Sequence, residues 1–80
     1  MEVVEVPIAL SGKLGPEMKM DVHWVDVRLA NGAAHYNLVV RGGHVITGYA
    51  SEPNGEGPLP FKSGDIVAIR RHKFRFWPLW

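Results

Sequence analysis

Two dipeptides, Asn31-Gly32 and Gly42-Gly43, and a run dense in proline and glycine over 51–63 cut the chain from residue 31 onward into short segments. That punctuation constrains the fold more than any other feature. Asn and Gly both accept the positive φ that a type I′ turn demands, so Asn31-Gly32 predicts a tight hairpin, and Gly42-Gly43 predicts a second one. Between them, His35 to Arg41 places Tyr36, Leu38 and Val40 on one face of a strand. After them, His44 to Ala50 places Val45, Thr47 and Tyr49 on one face of the next. Ser51 to Ser63 carries Pro53, Asn54, Gly55, Gly57, Pro58 and Pro60, which predicts a long loop, either functional or slack. Asp65 to Arg71 resumes as a short apolar strand through Ile66-Val67-Ala68-Ile69, and Phe74 to Trp80 alternates again.

Upstream of the first hairpin, Val4, Val6, Ile8 and Leu10 alternate with Glu5, Pro7 and Ala9, the period of a half-buried strand. Pro7 has no N–H to donate, which places that strand at a sheet edge. Ser11 to Pro16 reads as a loop. Residues 17–30 admit two structures. As a strand, Met20, Val22 and Trp24 fall on one face and Val25, Val27 and Leu29 on the other, with a bulge or bend where the apolar face changes between Trp24 and Val25. As a helix, Met18, Val22, Val25 and Leu29 share a face and Gly32 supplies the C-cap. The β-branched valines favour the strand. The expectation is a single all-β domain over 1–80, a small barrel of five or six short antiparallel strands with its long loop at 51–63.

A chain of 80 residues buries only about 60 to 65% of the surface its unfolded form exposes, yet hydrophobic residues make up 46% of this one. With no cysteine, disulfides cannot supplement the core, and a thiolate metal site or cysteine nucleophile is excluded. Stability must then come from packing or association, so a homo-oligomer or a protein partner is expected. The sequence opens Met1-Glu2, with an acid rather than a basic region, and the longest apolar stretch nearby, Val6 to Leu10, is short. Neither a signal peptide nor a membrane span is expected, and the cytoplasm is the expected location.

The net formal charge is +1, but its distribution is uneven. Glu2, Glu5, Glu17, Asp21 and Asp26 lie early, whereas Arg70, Arg71, Lys73 and Arg75 crowd an acid-free C-terminal end.

Val25-Asp26-Val27-Arg28-Leu29-Ala30-Asn31-Gly32 resembles the first Sm motif of Sm-like proteins, an apolar alternation ending in a leucine and a polar-Gly turn. Lys62-Ser63-Gly64-Asp65-Ile66-Val67-Ala68-Ile69 is similar to the second, a basic-Gly-acidic turn feeding an apolar strand. The matched residues cover about half the chain. The resemblance implies a strongly bent five-stranded barrel of SH3-like type, usually assembled into rings that bind single-stranded RNA.

Cations and rings interleave in Arg70, Arg71, His72, Lys73, Phe74, Arg75, Phe76 and Trp77. Charges for phosphates and rings for bases are what a single-stranded nucleic acid requires. Simple alternation, with Phe74 and Phe76 inward and Lys73 and Arg75 outward, explains the same pattern without a ligand, and Trp, Arg and Phe also mark protein interfaces. Trp77, Leu79 and Trp80 form an apolar chain end that must pack on its own barrel or on a neighbour, with Trp24 as a candidate partner. His23, His35, His44 and His72 lack the short spacings of a metal motif and read as surface or hairpin-flanking residues, so neither metal nor cofactor is expected. Ser11, Ser51 and Ser63 fall in loops with no motif around them, and no spacing pairs Asp26 or Asp65 with a histidine. No catalytic residue is expected. The sequence thus describes a non-catalytic interaction module acting through protein binding or self-association, with single-stranded nucleic-acid binding as the alternative.

Overall fold

The computed structural model describes residues 3–11, 22–42 and 44–72. Its centre is the hairpin of β2 (Val22–Leu29) and β3 (Ala34–Arg41), eight residues each. The strand reading of 22–29 is the one realised, because pairing on both sides of β2 buries Val25, Val27 and Leu29 in alternation. Asn31-Gly32 does turn the chain, but not as type I′. Positive φ is confined to Gly32, at +90°. The Leu29 carbonyl accepts the Gly32 N–H at 2.9 Å, while the Asn31 side chain accepts the Ala33 N–H at 2.9 Å. A side chain that captures a nearby N–H holds Asn31 out of the left-handed region and leaves that conformation to glycine, the pattern of a three-residue hairpin.

A second turn, across which the Arg41 carbonyl accepts the His44 N–H at 3.4 Å, leads into β4 (Val45–Tyr49). Gly43 lies outside the described residues. Two strands complete one antiparallel sheet, β5 (Ile66–Arg71) against β2 and the two-residue β1 (Val4–Glu5) against β4, in the order β1-β4-β3-β2-β5. The sheet curls into a half-barrel. Into its hollow point Val25, Val27 and Leu29 from β2, Leu38 and Val40 from β3, Ile46 from β4, and Ile66 and Ile69 from β5.

The N-terminal segment is an edge strand, as Pro7 demands, but only as far as Glu5. The Val6 N–H still donates to the His44 carbonyl, and from Ile8 to Ser11 the chain makes one helical turn, α1, leaving Ile8 92% exposed. Proline pre-sets the φ of a helical start, and the Pro7 carbonyl accepts the Leu10 N–H at 2.8 Å.

The bulge expected in β2 at Trp24-Val25 lies instead on its partners. On β3, Val25 faces Leu38 but Val27 faces His35, so Asp26 is opposed by two residues, Tyr36 and Asn37. One extra residue reverses the facing, so Tyr36 does not share the side of Leu38 and Val40. The same happens at Thr47, because Val39 pairs with Gly48 and Val40 with Ile46. Ile46 enters the core and Thr47 leaves the face expected for it. A third shift falls at Val67 in β5.

The 51–63 run contains a single 3₁₀ turn, Pro53–Gly55, yet it is fastened. Thr47 Oγ1 donates to the Gly55 carbonyl at 2.7 Å, the Gly57 N–H to the Thr47 carbonyl at 3.1 Å, and Arg41 Nη2 to the Asn54 carbonyl at 2.7 Å. A Cβ on Gly48 would lie 2.6 Å from the Gly57 nitrogen, so only glycine allows this approach. Phe61 then returns the chain to the core, and the 3₁₀ turn Ser63–Asp65 leads into β5. Among the described residues no helix is long and apolar enough to cross a membrane.

Candidate interaction face around Asp26

On β2, Trp24, Asp26 and Arg28 alternate with the core valines and so project from the opposite side of the sheet. Asp26 is nonetheless fully buried, with 0% exposure. A buried carboxylate without partners would be strongly destabilising. This one has three. Its Oδ1 accepts the Asn37 backbone N–H at 3.0 Å and lies 2.6 Å from His72 Nδ1, and its Oδ2 accepts Arg70 Nε–H at 2.8 Å. Burial, the largest single influence, pushes the Asp26 carboxyl up. The Asn37 N–H, then Arg70, then His72 pull it down and together prevail, so Asp26 ionises below the usual carboxylate range.

The donors are placed by two strands, β3 and β5. The β3 bulge turns the Asn37 N–H toward β2, with Asn37 at φ +58° and its carbonyl accepting the Ala50 N–H at 2.9 Å. Asparagine tolerates this left-handed backbone better than most residues. Antiparallel pairing sets Arg70 of β5 directly opposite Asp26. His72 follows one residue after β5.

The bulge that delivers Asn37 also lifts Tyr36, which is 52% exposed, onto the same side. The Arg70 guanidinium carbon stands 5.9 Å from the Tyr36 ring centroid. Trp24, at 47% exposure, flanks the buried carboxylate along β2. The face therefore presents two half-exposed aromatic rings and the arginine and imidazole of a cluster whose acid is concealed beneath them.

Of the residues singled out in the sequence, Trp24, Arg70 and His72 belong to this face. Arg71, opposite the core residue Val25, does not. Lys73, Phe74, Arg75, Phe76, Trp77, Leu79 and Trp80 lie outside the described residues. Sequence reasoning missed Asp26 and Tyr36, and named His72 only within the cation–ring run, without its pairing with Asp26. The available signal was a lone acid inside an apolar alternation, Val25-Asp26-Val27, where a strand with pairing on both sides would bury it.

The histidines correct the surface reading at three positions. His23 is half-buried, with Nε2 inaccessible and unpartnered among the described residues. His35 is half-buried, its Nδ1 2.8 Å from the Tyr49 hydroxyl and its ring 5.1 Å from that of Phe61; burial pushes the Tyr49 hydroxyl up. His72 retains 25% side-chain exposure. Only His44 is an exposed turn residue, its Nδ1 2.9 Å from the Gly42 carbonyl. Among the described residues no three His, Asp or Glu side chains converge as a metal site would require.

Asp26 and His72 have the contact that orients an imidazole in hydrolases, but a carboxylate shared with a bulge N–H and an arginine fastens strands together before it serves any histidine. No protein-family model, no curated protein and no solved structure matches the chain.

Proposed function

We propose that this chain is a non-catalytic interaction module of the cytoplasm, built on a small SH3-like barrel, which binds a protein partner or a second copy of itself through the face around Asp26. The observation that carries this reading is the pair of half-exposed rings, Trp24 and Tyr36, on a strand pair whose other side supplies the core. Large rings left half in water on a rigid sheet bring contact area at little conformational cost, the property that makes aromatic side chains interface anchors. Sedimentation equilibrium on the wild type and on Trp24→Ser with Tyr36→Ser is the test. Concentration-dependent association, or capture of a defined protein, that disappears in the double variant supports the reading. Association unchanged by the double variant sends the interface elsewhere.

A second reading has its own observation, the Arg70 guanidinium over the Tyr36 ring. Cation and ring side by side also suit a single-stranded nucleic acid, to which Arg70 and the basic aromatic residues at the chain's end would contribute. Salt separates the two. Binding of a labelled oligonucleotide should fall with a log-log slope of about −0.7 per phosphate neutralised, whereas an apolar protein contact is nearly indifferent to salt.

A further inference from the structure

We propose that Asp26 is the positioning residue of the aromatic face: its carboxylate ties the Tyr36-bearing bulge of β3 to Arg70 and His72 at the end of β5, and without that charge the face loses its shape while the core stays packed. Three contacts from two chain segments end on one side chain, Asn37 N–H from β3, and Arg70 Nε–H and His72 Nδ1 from β5 and the residue just beyond it. None of these contacts involves the aliphatic cluster on the other side of the sheet. The Tyr36 backbone is one half of the two-residue bulge that the carboxylate stabilises, and its ring lies against the guanidinium that the same carboxylate orients. Aromatic position and cation position are thus set together, by a group that is itself hidden from any partner. Among the described residues, the charged and titratable groups on the Asp26 side are Arg70 and His72 from the β5 side and the Tyr36 hydroxyl from the β3 side, where the hydrogen-bond donor to Asp26 is the Asn37 backbone amide.

What a partner gains from this arrangement rests on the interaction reading above; the arrangement itself can be measured with no partner present. Nuclear magnetic resonance on the isotope-labelled chain reads the Asn37 amide, the Arg70 Nε–H and the Tyr36 ring as the face, and the Leu38 and Ile46 methyl groups as the core. As wild type is acidified below about pH 4, the ordinary carboxylate range, the three face signals should move on one titration curve before the core methyl groups respond. In Asp26→Asn, which keeps an acceptor for Asn37 but no charge, the Arg70 and Tyr36 signals should already be displaced at neutral pH and should no longer titrate, with the core methyl groups unchanged. Face and core moving together on acidification, or face signals indifferent both to acid and to Asp26→Asn, would overturn the proposal. Failure of Asp26→Asn to fold would make Asp26 a support of the core and overturn it equally. Loss of association in Trp24→Ser with Tyr36→Ser decides the interaction reading separately, because it leaves all these contacts of Asp26 in place.

Discussion

The two sides of the central hairpin solve opposite problems. The hollow side is aliphatic, with Val25, Val27, Leu38, Val40 and Ile46 all at 0% exposure, and it holds together by area removed from water. The other side buries a charge at the same depth, and that charge is held by three donors converging on Asp26. Hydrophobic contact is non-directional and tolerates volume-conserving change, whereas a buried carboxylate fails when any one donor is misplaced. One side of a sheet can therefore be generic while the other is specified atom by atom.

The sharpest way to break the comparison is to damage the generic side. Leu38→Ala should lower stability by about 2 to 5 kcal/mol in urea denaturation, since a fully buried Leu between β2 and β4 leaves a cavity that a curled sheet cannot easily close. A loss below about 1 kcal/mol would mean that the aliphatic cluster is not the main source of stability. Next in size is Gly48→Ala. A Cβ within 2.6 Å of backbone must push the 51–63 loop off β4, and a cost of about 1 to 3 kcal/mol with the sheet otherwise intact by circular dichroism is expected.

The charged side makes a prediction about pH that the aliphatic side does not. Asp26 ionises below its unfolded value, so its contribution is complete above the ordinary carboxylate range and is lost as pH falls through the folded value. Urea midpoints measured from neutrality down to about pH 3 should decline below about pH 4, and the decline should shrink in Asp26→Asn. An equal decline in that variant would assign the acid sensitivity to other carboxylates. Smallest of all, Trp24→Ser should leave stability within about 0.5 kcal/mol of wild type, because a half-exposed ring away from the core contributes little to folding. Partner binding should nevertheless suffer, and a variant that is both stable and fully competent in association would remove Trp24 from the face.

Part of this was open to sequence reasoning for local reasons. Asn31-Gly32 marks a hairpin because its turn needs only residues within reach of one another. Val25, Val27 and Leu29 read as one buried face because strand periodicity is a property of neighbours. Phase was less legible. Tyr36 and Thr47 were assigned to the wrong side because a bulge is one residue inserted against a partner strand, and a strand read alone does not show its partner. The Ser63–Asp65 turn shows the local case again: Asp65 accepts the Lys62 N–H at 3.0 Å, three residues away, and the basic-Gly-acidic pattern announces it.

Alternation, turn residues and the absence of cysteine together determined an all-β chain with a hairpin at Asn31-Gly32, a buried valine stripe and a breaker-rich connection. Only the tertiary structure decided that the connection is bolted to β4, that Tyr36 faces outward, and that Asp26 is a buried junction and not a solvated acid. The Asp26 partners Arg70 and His72 stand 44 and 46 residues further along the chain. Periodicity reports which face a side chain takes, but the electrostatic fate of that side chain depends on what the fold brings across from a strand distant in sequence.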